Sequence, residues 1–303
     1  MSIVVTGANG HLGSRLLPLL AQHAPVLALV RSANAAAQVN SVTQAMKPEA
    51  AARVGCTVLD YTDEAALGAA LEGATEVVHL VGIIKEYPHT SYEQAHEGTT
   101  TALLAAAPAS LQRIHYLSIV GSHPGAANAC LASKGRAEQM LLDGPVPTTV
   151  IQVPMVLGEG DYASAAIDAQ ARRGFNVVFA AAARDQPIYA GDVTTAIVQS
   201  RELPATFNER LCLAGPEAVS KRTLITRAAS VLGRDTTVVG LPAWIARWAT
   251  RALEAVSSDP PITSAMLEIL NHDDCYDPEP ACRTLGLTLT PLDDTLSHVL
   301  RSV

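Results

Sequence analysis

A glycine-rich turn close to the first residue constrains this chain more than any other feature of the sequence. Residues 3–5 are β-branched and predict a short buried strand, and Gly7, Gly10 and Gly13 follow it at a spacing of three. Gly7 can turn the chain sharply, Gly10 lets the backbone approach a ligand, and Gly13 lets the next helix pack against the strand. The pattern predicts a strand, a tight loop and a helix arranged around an anion.

The helix after this loop opens near His11, so its unpaired N–H groups and the positive end of its dipole face the loop. Phosphate groups suit that environment, which favours a dinucleotide pyrophosphate as the ligand. An ordinary glycine turn is the alternative, but the strand before the loop and the apolar helix after it favour a binding site. The residues assigned to the cofactor loop are Thr6, Gly7, Asn9, Gly10, His11, Leu12 and Gly13.

The second strand, predicted over residues 26–30, ends at Arg31-Ser32. In a dinucleotide-binding fold this position meets the adenosine ribose, and an acidic residue there binds the two ribose hydroxyls of NAD. A guanidinium and a hydroxyl suit the 2′-phosphate of NADP instead, because that group needs positive charge and hydrogen-bond donors. The sequence therefore favours NADP, with NAD as the alternative cofactor and a solvated loop arginine as the alternative role of Arg31.

The third and fourth strands also end at candidate cofactor contacts. Asp60 follows the third strand and is placed to accept from the adenine amino group, while Tyr61 is placed to cover the adenine ring. The alternative is that Asp60 caps the next helix, a role that Asp63 fits better. Gly82 ends the fourth strand, where the lack of a side chain lets the cofactor approach. His79 lies within the apolar part of that strand and is expected to be a hydrogen-bonded core histidine.

Strands and helices alternate through the first half of the chain. The predicted strands lack the alternation of polar and apolar residues typical of half-buried strands, so both of their faces are expected to be covered. This order predicts an α/β fold with a doubly wound parallel sheet. The strands are predicted over residues 3–5, 26–30, 56–59, 76–82, 113–118 and 148–153.

Composition limits the classes of partner. The net charge of −8 argues against nucleic acid as the main partner. No apolar run reaches the roughly 20 residues of a membrane span. The five cysteines include no CxxC pair, so reduced thiols in a cytoplasmic protein are expected. The acidic residues near position 275 lack the spacing of metal ligands, and no metal site is predicted.

Further motifs complete a recognisable set. They include Leu29-Val30-Arg31, Leu59-Asp60 and His115-Tyr116-Leu117-Ser118, and later 152–158, 187–193 and 213–217. With the glycine loop, they make the chain resemble the short-chain dehydrogenase/reductase superfamily in its atypical extended branch. Within that branch it is similar to the group of the NmrA-like proteins and the 39 kDa accessory subunit of respiratory complex I.

The resemblance implies a discontinuous layout. Residues 1–153 and 187–215 would form an NAD(P)-binding Rossmann domain, and residues 154–186 and 216–303 a smaller α/β lobe on the substrate side. The cofactor contacts implied by the resemblance extend to Val81, Gly82, Ser118, Lys134, Val153, Pro154 and Val156.

The sequence departs from the superfamily at the catalytic position. Superfamily enzymes pair a tyrosine with a lysine four residues later, on one helical face, and add a serine or threonine from the fifth strand. Lys134 and Ser118 are present, but Cys130 occupies the place of the tyrosine, and either Ser118 or Ile119 occupies that of the serine. A thiol exchanges protons but is shorter than a phenol by a whole ring, so Cys130 is either a weak catalytic acid or a packing residue.

Three functions stay open at this point. The first is an NADP-dependent oxidoreductase of a small organic substrate that uses Ser118, Cys130 and Lys134. The second is a non-catalytic dinucleotide-binding sensor, chaperone or assembly subunit with a protein partner. A nucleotide-sugar epimerase or dehydratase needs the missing tyrosine even more and is disfavoured. A predicted helix carries Trp244 and Trp248 on one face, either for packing over the substrate cleft or for contact with a membrane surface or partner.

Overall fold

The computed structural model describes residues 2–242, 244–245, 248, 250–251, 263–270 and 274–301. Its strands are β1 (Ile3–Thr6), β2 (Val26–Val30), β3 (Val54–Val58), β4 (Glu76–His79), β5 (Arg113–Ile119), β6 (Thr148–Val153), β7 (Val156–Leu157), β8 (Phe175–Phe179), β9 (Arg184–Asp185), β10 (Ile188–Tyr189), β11 (Glu209–Cys212), β12 (Val219–Ser220) and β13 (Thr237–Leu241). Its α-helices are α1 (His11–Leu20), α2 (Ala33–Gln44), α3 (Pro48–Ala51), α4 (Glu64–Leu71), α5 (Thr99–Ala105), α6 (Ala129–Leu142), α7 (Tyr162–Ala171), α8 (Ala190–Gln199), α9 (Lys221–Val231), α10 (Ser264–Leu270), α11 (Glu279–Leu285) and α12 (Leu292–Arg301).

Seven parallel strands form the central sheet, in the order β11-β6-β5-β4-β1-β2-β3. Because the order reverses beside β1, the chain winds outward in both directions and its helices cover both faces. On one face Leu16, Leu17 and Leu20 of α1 pack in a cluster with Val193 and Ile197 of α8. On the other face α4, α5 and α6 close a second cluster. The predicted doubly wound α/β fold is confirmed.

Strand β3 is an exception to the predicted burial. It lies at the edge of the sheet, and its five residues are exposed or only half-buried. The expectation that every strand is covered on both faces was wrong here, because an edge strand has a neighbour on one side only. The predicted helix over residues 92–107 contains a π-helical turn, Gln94–Gly98, which continues into α5.

The C-terminal region adds three two-stranded sheets, β10-β7, β12-β9 and β13-β8. A separate cluster of buried side chains joins α7, α9 and α12, with Ile167, Leu224 and Leu296 at its centre. Strand β11 returns to the central sheet, and it falls within the segment 187–215 that the resemblance assigns to the Rossmann domain. The domain boundaries themselves stay a prediction.

Within the described residues, no helix is both long and apolar enough to cross a membrane. The segment around the two tryptophans is described only in part. Trp244 and Trp248 are 61% and 68% exposed, respectively. Their role, over the cleft or against a surface, stays a prediction, since residues 252–262 lie outside the described part.

Candidate functional site

The glycine loop has the backbone geometry that its sequence predicts. Gly7 has a φ of +69°, in the left-handed region that favours glycine. A Cβ on Gly13 would lie 2.6 Å from the Ala8 carbonyl oxygen and 2.7 Å from that of Gly7. Helix α1 therefore begins tightly against the loop, with its first N–H groups at the carboxyl end of β1. This cradle fits a dinucleotide pyrophosphate.

Tyr61 supports this loop from below. Its hydroxyl donates to the Leu29 carbonyl oxygen at 2.6 Å and accepts from the Gly7 amide at 2.8 Å. The side chain is buried, and burial raises the pKa of Tyr61 to about 12. The hydroxyl of Tyr61 is thus fixed between β2 and the loop, while Tyr61 also lines the polar cavity; its contact with the adenine ring stays a prediction. No sequence pattern indicates that the hydroxyl of a tyrosine will join the ends of two strands that are distant in the chain.

A polar cavity of about 640 Å³ opens beyond the loop, at the carboxyl ends of β1, β2 and β3. Sequence reasoning predicted six of its lining residues and missed those from the segment between β4 and α5. The predicted ones are Asn9, Arg31, Ser32, Asp60, Tyr61 and Val81, and the missed ones include His89, Thr90 and Gln94. The polar segment after β4 was the available signal, because loops at this edge of a parallel sheet bind ligands.

Two of these predicted contacts also have local structural roles. The Ser32 hydroxyl accepts from the Ala35 amide at 3.2 Å and caps α2. Asp60 accepts from both the amide and the hydroxyl of Thr62, which lowers the pKa of Asp60. Asp63 caps α4, as predicted. Asp60 is therefore ionised and held in a turn at the cavity wall rather than free of local partners.

Thr6 and His79 lie beneath the cofactor loop and do not line the cavity. The Thr6 hydroxyl and His79 Nδ1 are 2.8 Å apart, and the His79 ring stacks on Tyr116. Burial, together with the charge of Lys134, lowers the pKa of His79 to about 3, so the ring is neutral. His79 is the hydrogen-bonded core histidine that was predicted, whereas Thr6 belongs to the support of the loop.

Lys134 is buried between the ends of β4 and β5. Its Nζ donates to the carbonyl oxygens of Val81 at 3.3 Å and Leu117 at 2.9 Å, and lies 4.4 Å from the centre of the Tyr116 ring. A Cβ on Gly82 would lie 2.9 Å from this ammonium, so the lysine occupies the space that a side chain there would need; the predicted approach of a cofactor to Gly82 stays a prediction. Burial lowers the pKa of Lys134 to about 8.

The last two residues of β5, Ser118 and Ile119, lie in different surroundings. Ile119 lines an apolar cavity, whereas Ser118 is buried and its hydroxyl has no hydrogen-bond partner among the described residues. Successive residues of a strand point to opposite faces, so a shift of one residue determines which of the two side chains lines the cavity. Ile119 is thus the residue of this pair that lines the cavity, and the catalytic role of Ser118 stays a prediction.

Cys130 is also withdrawn from the cavity. It is fully buried, and its Sγ donates to the Ile83 carbonyl oxygen at 3.4 Å. Burial raises the pKa of the thiol to about 11, against the opposing effect of Lys134. Leu131, the next residue of α6, lines the cavity instead. Of the two roles predicted for Cys130, this placement favours the packing residue, and the catalytic role stays a prediction.

Two adjoining apolar cavities, which we call the candidate acceptor side, lie at and beyond the carboxyl ends of β5 and β6. The first, of about 260 Å³, lies at the ends of β5 and β6 and includes the predicted residues Pro154 and Val156. The second, of about 330 Å³, extends between α7, β8 and α9. Met155, Ala163 and Asp185 line both. Val153, another predicted contact, is buried at the end of β6.

His, Cys, Asp and Glu side chains of the described residues form no group that can hold a metal ion.

Comparison with known proteins agrees with this architecture. Residues 3–140 match the model of the NAD dependent epimerase/dehydratase family. No curated protein matches the chain. A triphenylmethane reductase of Citrobacter sp. superposes with a TM-score of 0.76 at 18% identity, over 99% of this chain and 100% of that one.

Two further solved structures have the same fold. An NADPH-dependent quinone oxidoreductase of Escherichia coli, complexed with NADPH, has a TM-score of 0.73 at 20% identity, over 98% of this chain and 99% of that one. A UDP-glucuronic acid 4-epimerase of Bacillus cereus, complexed with UDP-glucuronic acid and NAD, has a TM-score of 0.74 at 18% identity, over 99% and 98%.

The fold and the glycine cradle are those of an NAD(P)-binding Rossmann protein, and the family match covers residues 3–140, somewhat less than half of the chain. These findings agree with the predicted resemblance to the short-chain dehydrogenase/reductase superfamily.

Proposed function

We propose that the protein is an NADP(H)-dependent oxidoreductase that reduces a small, apolar, conjugated acceptor without a proton donor from the protein. The observation that carries this proposal is the composition of the acceptor side, where Ile119 and Leu131 line the cavity and Cys130 is buried away from it. Apolar walls exclude water from the reacting atoms but supply no acid.

Arg31 and Ser32 support NADP over NAD. Both line the polar cavity next to the glycine loop, and no acidic residue stands at the end of β2. Arg31 is exposed, and no hydrogen bond or ion pair engages its guanidinium within the described part of the chain. A 2′-phosphate would satisfy that group and the helix start beside it. Lys134, under Gly82, is the residue we assign to the nicotinamide ribose.

The chain's own residues determine which acceptors suit the site. Bound NADPH would supply one hydride, and its nicotinamide would be oxidised. On a carbocation the hydride forms a C–H bond and no proton is needed; on a quinone it forms an O–H bond, and the hydroquinone anion takes its one proton from solvent when it leaves the apolar cavity. An isolated ketone needs an acid beside its oxygen, which Cys130 and Ile119 do not provide. The quinone and triphenylmethane activities in the names of two structural neighbours agree with this preference.

The test is NADPH oxidation with a matched panel of acceptors: a naphthoquinone, a triarylmethane dye and an aromatic ketone of similar size. Transfer of deuterium from C4-deuterated NADPH to the dye carbon establishes hydride transfer. We expect the quinone and the dye to be reduced and the ketone to react at least 100-fold more slowly, in line with the roughly 10²–10⁴-fold contribution of general acid catalysis. Brisk reduction of the ketone would contradict the proposal.

A non-catalytic dinucleotide-binding protein is the second candidate, favoured by the absence of a tyrosine at position 130. Tight binding of NADPH without oxidation by any acceptor of the panel would establish that role instead. A nucleotide-sugar epimerase, although named in the family model and in one of the structural neighbours, is disfavoured because its chemistry requires the same missing phenol.

A further inference from the structure

We propose that one face of the small β8-β13 sheet docks on the surface of a lipid bilayer. Six residues of the two strands point to this side, and five of them are apolar. In register they pair as Phe175 with Thr237, Val177 with Val239, and Phe179 with Leu241. We call these six residues the outer sheet face.

The two faces of this sheet differ in burial. On the inner side Val238 is 3% exposed and packs with Ile225 of α9. On the outer sheet face Phe175 is 57% exposed, Val177 52% and Val239 41%. Packing against α9 therefore accounts for the apolar residues of one face and leaves those of the other in contact with solvent in the described part of the chain.

Arginines border one end of the outer sheet face, although the whole chain has a net charge of −8. Arg172 and Arg173 precede β8 and Arg234 precedes β13, so all three lie at the same end of this parallel pair. The Arg234 Nη1 donates to the Arg172 carbonyl oxygen at 3.2 Å. Asp168, which pairs with Arg172, and Asp235 offset two of these charges.

Both tryptophans of the chain lie beyond the other end, after β13. Trp244 and Trp248 are four residues apart, a spacing that places them on one side of a helix, and both are exposed. Arg251 follows and is also exposed. Tryptophan beside arginine is typical of segments that lie at the boundary between lipid headgroups and acyl chains.

Area and charge favour a bilayer over a second copy of this chain. Two strands of five residues offer roughly 160 Å² of sheet surface, whereas a stable protein interface buries about 800 Å² on each partner. A symmetric pair would also bring the arginines of both copies together. Anionic headgroups complement these arginines, and the acyl boundary accepts the apolar side chains.

Docking would bring the candidate acceptor side next to the lipid. Val177 and Phe179 belong to the outer sheet face and also line the apolar cavity of about 330 Å³. A lipophilic acceptor dissolved in the bilayer would then enter this cavity without crossing water. This consequence rests on the proposed function, whereas the docking itself goes beyond it and does not depend on it.

Tryptophan fluorescence of the full chain tests the docking, because both tryptophans lie beside the outer sheet face. The probes are vesicles of phosphatidylcholine alone and of phosphatidylcholine with about 30% phosphatidylglycerol, each with and without brominated acyl chains. We expect the emission to shift to the blue on binding and to be quenched by the brominated chains. The anionic vesicles should bind at least about fivefold more tightly than the neutral ones.

Two variants separate the apolar contact from the charge. Phe175→Ser combined with Val239→Ser removes two side chains that line none of the described cavities, and should weaken vesicle binding about tenfold or more. Val58→Ser, on the edge strand β3, removes an exposed apolar residue elsewhere and should change nothing. Arg173→Gln should weaken binding to the anionic vesicles about fivefold, whereas Arg283→Gln should not.

Circular dichroism and NADPH affinity check that each variant is folded; if the double serine variant does not fold, Arg173→Gln decides. A wild type without the blue shift and the quenching, or a folded double variant that binds vesicles like the wild type, would overturn the proposal. A dimer in sedimentation velocity that the double variant abolishes, without vesicle binding, would make a second copy the occupant instead. Because no acceptor is present, the outcome is independent of whether the protein reduces one.

Discussion

The proposed cofactor side is lined by polar residues, whereas the candidate acceptor side is lined mostly by apolar ones. The polar cavity lies over β1, β2 and β3, and the residues beside the glycine loop and Arg31 are close in sequence to the strands that place them. The acceptor cavities combine Ile84, Leu131, Pro154 and Asp185, which come from separate segments of the chain. The predicted residues of the polar cavity thus follow from motifs at the ends of single strands, whereas the lining of the apolar cavities follows from tertiary assembly, and we expect a substitution to affect the two sides separately.

The largest expected effect is on the cofactor side, at Gly10. Its backbone bonds closely within the loop, with the Gly10 amide 3.0 Å from the Gly7 carbonyl oxygen. Valine at this position would place a branched side chain where a pyrophosphate meets the helix start. We expect Gly10→Val to weaken NADPH binding more than about 100-fold, which calorimetry measures.

The matched control is Gly68→Val in α4, where a Cβ meets nothing within 4 Å. That variant should retain NADPH affinity. Circular dichroism should show both variants folded. A folded Gly10→Val protein that still binds NADPH would mean that the loop holds no dinucleotide.

The next effect separates the two cofactors. Arg31→Ala should weaken NADPH binding about ten- to a hundredfold and leave NADH binding nearly unchanged, because one charge-assisted contact with phosphate contributes about 1.5–3 kcal/mol. Arg283→Ala removes another exposed arginine that lines none of the described cavities, and serves as the control. Equal affinity of the wild type for NADPH and NADH would contradict the NADP assignment.

The same division explains what sequence reasoning achieved. The order of strands and helices, the glycine loop, and the place of Arg31 follow from patterns that are local in the chain. The role of Tyr61 depends on a hydroxyl that reaches Leu29 and Gly7 from a distant strand end, so no spacing reveals it. The choice between Ser118 and Ile119 depends on a single residue of register, because strand neighbours face opposite sides.

The acceptor side was harder still to predict. Asp185 lies in a two-residue strand, β9, whose pairing with β12 brings it into the cavity wall. Neither strand has enough residues to show a hydrophobic period, so periodicity carries no information there. The apolar character of the cavity emerges only when segments from four or more parts of the chain are assembled.

A smaller effect is expected from Lys134, which lies between the two sides. Burial lowers its pKa to about 8, so the ammonium is present below that pH and lost above it. If the ammonium binds the nicotinamide ribose, NADPH affinity should fall as the pH rises above about 8, by at most tenfold per pH unit. Lys134→Met should bind NADPH more weakly at pH 7 and lose this dependence. The same pH slope in the variant would assign the titration to another group.

The smallest effect is expected at Cys130, where the two sides meet. The thiol is fully buried, donates to the Ile83 carbonyl oxygen and has a pKa of about 11, so at neutral pH it is protonated and held away from the cavity. Cys130→Ala should therefore change the rate with a quinone or dye less than twofold, at a cost of about 1 kcal/mol in stability for a small buried void. Cys130→Tyr should cost more, about 1–3 kcal/mol, because a ring at a fully buried position overpacks its surroundings.

Steady-state rates measure the first effect and chemical denaturation the second. The control is Cys282→Ala, which removes another unpaired but partly exposed thiol. Loss of the rate in a Cys130→Ala protein that still binds NADPH would show that the thiol takes part in the reaction. The proposal that the acceptor side has no proton donor from the protein would then be wrong.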